Sequence, residues 1–256
     1  MKKVLINGVG GQMGHALLVS FKTFGAEWEI TGGVDPYCEE SFPFPVFRSA
    51  DAIDVIPDVV IDFSVPAATE QILEYCVERH IPIVICTTAL SDDLIEKINT
   101  SARTIPVFRS GNMSLGINLM RRLVSDTRRM LGDAFDVEII EAHHNLKIDA
   151  PSGTALMLGE AIRSADGKNH PYMYGRSEKN RRRTPEEIGF HSIRGGTVVG
   201  EHEVRFLGED EEIAILHRAS SKRVFANGAI RAADFLLHHL PGLYTMDDLV
   251  SEILSE

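Results

Sequence analysis

Val4-Leu5-Ile6-Asn7-Gly8-Val9-Gly10-Gly11-Gln12-Met13-Gly14 is the stretch whose reading decides the fold. A short β-branched, apolar run passes directly into a glycine cluster, and helical spacing over Met13–Phe24 follows it. A dinucleotide's pyrophosphate needs a tight turn, a close backbone approach and the positive end of a helix at such a junction. The strict Gly-x-Gly-x-x-Gly spacing fails, because its third glycine would fall on Met13. The match runs instead through Gly8, Gly11 and Gly14, with Gly10 as an extra. A glycine cluster alone also serves a tight strand–helix turn. Asp35 adds weight, since it ends a second strand (Ile30–Val34) 21 residues after Gly14. An acid there can hydrogen-bond ribose hydroxyls, although Asp35-Pro36 by itself also reads as a turn. Its charge would repel a 2′-phosphate and no arginine follows it, so NADH is expected to be preferred to NADPH.

Outward from this loop, Val59–Phe63, Ile83–Cys86 and Val107–Phe108 read as further short buried strands, with helices over Ala67–Arg79 and Ser91–Thr100. Ser91 followed by two aspartates suits the unpaired N–H groups of a helix start. Strand–helix alternation of this kind predicts a parallel sheet covered on both faces. After about residue 113 the pattern changes. A helix over Gly116–Leu131 leads to a strand ending near His143, then a helix opened by Pro151–Ser152. Three strand-like runs follow, Gly189–Arg194, Thr197–Phe206 and Glu211–Arg218. They lack intervening helices and predict a mostly antiparallel sheet. Helices over Ala226–His239 and Met246–Leu254 close the pattern. The expected fold class is α/β: a Rossmann-like dinucleotide-binding half and an α+β half with an open mixed sheet.

Composition narrows the function classes. With 256 residues, 44% hydrophobic and 25% charged, the chain has the make-up of an ordinary globular protein. Its apolar runs are too short to cross a bilayer, and the glycines after Ile6 leave no room for a secretory signal, so a cytoplasmic protein without membrane contacts is expected. Cys38, Cys76 and Cys86 are odd in number and widely spaced, which signals neither a disulfide framework nor a zinc site. A formal charge of −11 argues against nucleic acid as a partner. Arg181–Arg183, within a polar stretch that includes Lys179 and Asn180, reads as a solvated surface loop.

The chemistry concentrates in Glu141-Ala142-His143-His144-Asn145-Leu146-Lys147-Ile148-Asp149-Ala150-Pro151-Ser152-Gly153-Thr154-Ala155. Histidine suits acid–base work near neutral pH. Ser152, Gly153 and Thr154 open a helix and can offer N–H groups and hydroxyls to a carboxylate or phosphate. Lys147 adds a compact positive charge. Adjacent histidines on a strand point to opposite faces, so one of the pair packed and the other solvated is also consistent with the sequence. No ligand spacing supports a metal, and Lys147 would oppose one.

This run resembles the signature of the 4-hydroxy-tetrahydrodipicolinate reductase (dihydrodipicolinate reductase) family, E-x-H-H-x-x-K-x-D-A-P-S-G-T-A, at every fixed position. The resemblance extends through Asp62-Phe63-Ser64, Thr87-Thr88, Asn112–Gly116, Val199–His202, His217–Ser221 and Phe225–Ala229. It implies reduction of a small cyclic dicarboxylate in the diaminopimelate route to lysine, with His143 as general acid and Lys147 as the second catalytic group. Ser152, Gly153, Thr154, His144 and Thr88 would hold the substrate. The cofactor would lie along Gly8, Gly11, Gln12, Met13 and Asp35, with its nicotinamide near Cys86–Thr88 and Ser110–Met113, that is Ser110, Gly111, Asn112 and Met113. The resemblance also implies that 1–113 with 229–256 bind the nucleotide, that 114–228 bind substrate and oligomerise, and that the protein is a homotetramer.

Two departures matter. The family commonly has Gly-Thr-Thr-Gly where this chain has Cys86-Thr87-Thr88-Ala89, so Cys86 reads as a substituted loop glycine. Many relatives have a basic residue at or just after Asp35, or at Gln12, and its absence weighs against NADPH. Two rivals remain: a semialdehyde dehydrogenase, which would need Cys86 as nucleophile, and a nicotinamide-binding sensor without catalysis.

Overall fold

The computed structural model describes residues 1–24, 27–177 and 181–255; Lys179 and Asn180 of the basic stretch lie outside them. In chain order the first elements are β1 (Lys2–Asn7), α1 (Gln12–Phe24), β2 (Trp28–Val34), β3 (Val46–Phe47), β4 (Val59–Asp62), α2 (Pro66–Arg79), β5 (Ile83–Ile85), α3 (Asp92–Ser101) and β6 (Pro106–Arg109). There follow α4 (Leu115–Leu131), β7 (Asp136–His143), α5 (Gly153–Asp166), β8 (Tyr172–Tyr174), β9 (Ile188–Arg194), β10 (Gly200–Leu207) and β11 (Glu212–Ala219). The chain closes with α6 (Arg223–Leu236), β12 (Gly242–Tyr244) and α7 (Met246–Ser255). No helix among the described residues is long and apolar enough to cross a membrane.

Two compact units result. The first comprises Met1–Leu115 and the segment from Lys222 onward, the second Gly116–Ser221. The cut falls before α6, whereas the expected boundary at 228/229 would have split that helix. Small residues explain why α6 stays whole. Ala226, Gly228, Ala229, Ala232 and Ala233 are all buried, which lets the helix lie close on its neighbours. At Gly228 a methyl group would stand 1.7 Å from the Met113 carbonyl oxygen.

The first unit is a parallel sheet in the order β12-β6-β5-β4-β1-β2-β3. Alternation along β1 shows how it is sandwiched. Val4 and Ile6 join a core with Leu17 of α1 and Ala229 and Ala233 of α6, while Leu5 joins Ile72 of α2 and Ile98 of α3. Succession runs outward in opposite directions from β1 and β4. The loops at their carboxyl ends therefore flank the crevice where such sheets take ligands. β12, which the sequence reading missed, extends the sheet beyond β6.

The second unit is a five-stranded sheet, β11-β10-β7-β9-β8. It is not mostly antiparallel: β10 runs against β11 and β7, but β9 runs parallel to both β7 and β8. The physical reason is α5, which lies between β7 and β9 and carries the chain back for a parallel crossover. One sheet face is laid out in rows. Phe206, Val137 and Ile188 are neighbours, as are Val204, Ile139 and Phe190, and all six are buried with Leu158 and Ile162 of α5. The next row is polar, with His217, His202, Glu141 and Ser192 side by side. His143 and Arg194 pair one step further on.

The basic stretch corrects another expectation. Arg181 and Arg182 are exposed, but Arg183 is partly buried. Its guanidinium donates to Asp136 at 2.6 Å, Glu138 at 3.2 Å and the Glu187 carbonyl at 2.5 Å. Arg176 pairs with Glu138 at 2.7 Å and with Glu187. Glu187 is only 2% exposed, and a buried carboxylate draws cations onto itself because leaving it unpaired is costly. These arginines thus brace β7, β8 and β9 rather than sit in solvent.

Gly228→Ala is expected to lower unfolding stability by about 1–3 kcal/mol, the usual cost of overpacking. Urea denaturation checks this, and an unchanged midpoint would show that α6 packs less closely than described.

Candidate active site

At the nucleotide end, the glycine loop has the expected geometry within the first unit. Gly8 takes a left-handed φ of +82°, and its N–H donates to the Val34 carbonyl at 2.8 Å. Gly11 N–H closes the turn onto the Gly8 carbonyl at 3.1 Å. A methyl group on Gly14 would stand 2.2 Å from the Val9 carbonyl oxygen, so only glycine lets α1 start this close to β1. Asp35 faces the loop. Gly10 N–H donates to its Oδ2 at 3.1 Å and Tyr37 N–H to its Oδ1 at 3.0 Å. Tight turn, helix start and flanking carboxylate together fit a dinucleotide.

Two cations stand where local sequence had none. Arg48, one residue past β3, donates to the Pro36 carbonyl at 2.5 Å. Lys222, just before α6, donates to Gln12 Oε1 at 2.5 Å. Sheet pairing brings Arg48 beside Asp35-Pro36 and helix packing brings Lys222 to Gln12, which spacing along the chain cannot reveal.

Of the remaining first-unit candidates, Thr87 is tied to Asp62, the last residue of β4 and fully buried. Its Oδ1 accepts from Asn7 Nδ2 at 2.9 Å, Ser64 N–H at 3.1 Å and Ser64 Oγ at 2.5 Å. Its Oδ2 accepts from Thr69 Oγ1 at 2.6 Å and Thr87 Oγ1 at 2.9 Å. Thr87 is thereby fixed, while Thr88 beside it is exposed. Ala89 follows with a φ of +56°, a conformation that favours the glycine of the family pattern. Cys86 is buried, and burial followed by the nearby Asp62 charge pushes its thiol well above the ordinary range. That makes it a poor nucleophile. Ser110, Asn112 and Ser114 form a self-bonded turn after β6: Asn112 N–H donates to Ser110 Oγ at 3.2 Å and Ser114 N–H to Asn112 Oδ1 at 2.9 Å. Gly111 is exposed in this turn and Met113 is buried in the core.

At the chemical end, the second unit brings together His143, Ser152 and three residues given no role from sequence: Glu141, Arg194 and His202. Glu141 and His143 share the covered face of β7 because they are two apart on a strand. That spacing was the available signal for Glu141. His143 Nδ1 lies 2.6 Å from Glu141 Oε2. Glu141 Oε1 accepts Ser152 N–H at 3.2 Å, and Arg194 grips both oxygens at 2.7 and 2.8 Å. Ser152 caps α5, its Oγ accepting Ala155 N–H at 3.2 Å, and pairs with His202 Nε2 at 3.0 Å. The His143 and His202 rings meet edge to face at 5.2 Å. Gly200 lies beside them, and a methyl group there would stand 3.2 Å from His143 Nε2.

The two adjacent histidines do part company: His143 is buried, whereas His144 is partly exposed beyond the end of β7. Lys147 is partly buried and pairs with the exposed Asp149 at 2.8 Å. Gly153 is exposed and Thr154 partly so at the amino end of α5. Thr88 is in the other unit from these substrate candidates.

Charge sets the protonation of this cluster. Burial would raise the Glu141 carboxyl, but hydrogen bonds from Arg194, Ser192 and His143, with the Arg194 charge, hold it at about 2. Glu141 is therefore an acceptor at neutral pH, and the hydrogen between it and His143 sits on Nδ1. Burial pushes His143 below the ordinary histidine value; Glu141 opposes that, and the Lys147 and Arg194 charges add to it. Burial, then the neighbouring His143, takes His202 down to about 4, so it is neutral. Among the described residues no set of three or more His, Cys, Asp or Glu is gathered as a metal ion would need.

Comparison with known proteins agrees with this geometry. Residues 2–113 match the family described as dihydrodipicolinate reductase, N-terminus, and residues 116–250 that described as dihydrodipicolinate reductase, C-terminus. The chain is 45% identical over 254 residues to the 4-hydroxy-tetrahydrodipicolinate reductase of Caldanaerobacter subterraneus subsp. tengcongensis, covering 98% of this chain and 99% of that one. It is 43% identical over 250 residues to the enzyme of the same name from Clostridium novyi, covering 98% of each. The dipicolinate-bound dihydrodipicolinate reductase from Paenisporosarcina sp. TG-14 superposes with a TM-score of 0.79 at 23% identity, over 96% of this chain and 97% of that one, a likeness of fold. The chain belongs to the dihydrodipicolinate reductase family.

Proposed function

We propose that this chain reduces 4-hydroxy-tetrahydrodipicolinate to tetrahydrodipicolinate, the reductive step of the diaminopimelate route to lysine. The observation that carries the reading is a histidine whose Nδ1 is held by an ionised acid and whose Nε2 faces a glycine, beside the capped head of a helix. Relatives sharing 45% and 43% of their residues with this chain bear the name of that reductase. The first unit serves as the nucleotide-binding domain, the second as the substrate-binding and oligomerisation domain of a cytoplasmic homotetramer.

In this reading the substrate, a small cyclic dicarboxylate, loses water to give a conjugated imine. The reduced nicotinamide supplies the hydride. Ser152, Gly153 and Thr154 at the head of α5, with His144 and Thr88, hold the carboxylates, so orientation lowers the barrier. His143 acts as the imidazolium: it gives its Nε2 proton to the ring carbon next to the one reduced and is left neutral, its remaining hydrogen on Nδ1 and bonded to Glu141. Lys147 leaves Asp149 and offsets the charge that develops as the ring is reduced. The water lost at the start is the only leaving group, and the ring gains one hydride and one proton.

The glycine loop, with Gln12 and Met13 at the start of α1, takes the pyrophosphate, and Asp35 takes the adenosine ribose. Cys86, Thr87 and the Ser110–Met113 turn line the nicotinamide side. Asp35 favours NADH, while Arg48 beside Pro36 supplies a positive charge that a 2′-phosphate can use.

Loss of the reduced nicotinamide's absorbance, with substrate generated in situ from pyruvate and aspartate semialdehyde, tests the reaction. Turnover is expected with wild type and is expected to fall about a hundredfold or more in His143→Ala and Lys147→Ala. Binding of NADH without turnover in the wild type would leave the sensor reading standing.

Gly200→Ala crowds Nε2 without touching the ion pairs. It is expected to lower kcat about tenfold with little change in KM, since a slight misplacement of the acid costs rate rather than binding. Unaltered kcat would mean that protons reach the substrate from elsewhere.

Run in parallel, NADH should give the higher kcat/KM, and Arg48→Ala should lower the NADPH value about fivefold while sparing NADH. Equal efficiencies in the wild type would remove Asp35 as the discriminating group.

A further inference from the structure

Arg194 has no part in binding or proton transfer as described above, yet three of its hydrogen bonds go to Glu141 and the Asp149 carbonyl, next to the groups that do. It closes β9 directly across from His143 in the parallel register. Nη1 donates to Glu141 Oε2 at 2.8 Å and to the Ile193 carbonyl at 2.8 Å. Nη2 donates to Glu141 Oε1 at 2.7 Å and to the Asp149 carbonyl at 2.6 Å. Glu141, 1% exposed, hands the restraint on: Oε2 to His143 Nδ1 at 2.6 Å, Oε1 to Ser152 N–H at 3.2 Å. One guanidinium thus restrains the imidazole, the backbone of the loop carrying Lys147 and Asp149, and the cap of α5.

We propose that Arg194 is a positioning residue for the reduction: by gripping Glu141 and the Asp149 carbonyl, it keeps Nδ1–H of His143 on Glu141, so that Nε2 is the nitrogen that takes up and transfers the proton, in one frame with the head of α5. The proposal rests on the reading of His143 as proton donor. Its physical basis is the planar fork. A guanidinium engages both carboxylate oxygens at once and fixes their orientation, which an ammonium does not. Neutral imidazole places its hydrogen on either nitrogen, and an oriented carboxylate acceptor at Nδ1 selects one form. Without its cation Glu141 keeps only the hydrogen bonds from Ser192, His143 and Ser152 against burial, which shifts it toward the protonated carboxyl and weakens the acceptor. Other charged or titratable groups around His143 are Lys147 from the loop after β7 and His202 from β10, with His217 of β11 behind His202.

The test compares wild type, Arg194→Lys, Arg194→Met and His143→Ala in the full-length chain. Circular dichroism monitors folding, kcat and KM are measured, and ring nitrogen shifts of 15N-histidine-labelled protein are followed against pH. The wild-type His143 ring should titrate from a neutral form protonated at Nδ1. Arg194→Met should give tautomer-averaged shifts and a kcat about ten- to hundredfold lower, with a raised substrate KM because the head of α5 is released as well. Arg194→Lys, which keeps the charge but not the fork, should fall between, and it decides on the same readouts if the methionine variant does not fold. Wild-type shifts and kcat within twofold in a folded variant would overturn the proposal. Full turnover in His143→Ala would overturn the proton-donor reading, and this proposal with it, by a measurement that does not involve Arg194.

Discussion

Asp62 places a carboxyl group with no exposed surface at the point where the parallel sheet changes direction, and the nucleotide end is built around meeting its needs. Five donors do so: Asn7 at the end of β1, the Ser64 backbone and hydroxyl, Thr69 in the first turns of α2, and Thr87 after β5. They come from the end of β1, the segment that leads from β4 into α2, and the loop after β5. Leaving any of these bonds unmade inside the protein costs about 1–3 kcal/mol. The loops are therefore held by polar satisfaction, although they lie above an apolar core. All five donors are neutral, so the knot orients backbone and hydroxyls without adding a cation beside the glycine loop.

The second unit uses a buried acid in the same structural role with a different chemical result. Glu141 collects β7, β9 and the cap of α5, as Asp62 collects β1, β4 and β5, but one of its donors is a guanidinium and another an imidazole. The guanidinium keeps the acid ionised, and the ionised acid fixes which imidazole nitrogen holds hydrogen. A neutral donor set at this position would bind the strand ends equally well and leave His143 without direction. The rows of the sheet explain how such a polar group is tolerated. Apolar rows from Val137, Ile139, Val204 and Phe206 fill the middle of the face, and polar residues begin only where the strands run out.

Local patterns made much of this visible in the sequence. The glycine loop, the alternation of strands and helices, Ser91 as a cap and the run from Glu141 to Ala155 each lie within a short window, where periodicity and spacing speak directly. What stayed hidden depends on chain crossing chain. Arg194 lies 53 residues from Glu141, and its place beside His143 follows from a parallel pairing that the absence of helices between the later strands had argued against. Arg183 looked solvated because its acidic partners, Asp136 and Glu138, are brought to it by tertiary pairing. Arg48 and Lys222 reach the cofactor loop from elsewhere, so a search for basic residues next to Asp35 and Gln12 could not find them. Glu141 is different: its two-residue offset from His143 on a strand is legible in the sequence, since it puts both side chains on one face.

Net charge poses the remaining question, since a chain at −11 must hold a dicarboxylate. The two cations nearest His143 are already engaged, Arg194 with Glu141 and Lys147 with Asp149. Their engagements differ in depth. Glu141 is buried, so separating it from Arg194 would strand a charge in a poor dielectric, at several kcal/mol in order of magnitude. Asp149 is exposed, and an exposed pair contributes about 0–1 kcal/mol, so water takes the aspartate back at little cost. Lys147 is thus the cation that can change partners, while Arg194 stays with the scaffold. The head of α5 supplies attraction that does not depend on an exchangeable ion, because its dipole points at the same loop. In the reading proposed above, Lys147 leaves Asp149 to meet the charge that develops on the ring, while the helix end holds the carboxylates. The negative field of the rest of the protein is then opposed only where the ring must be held.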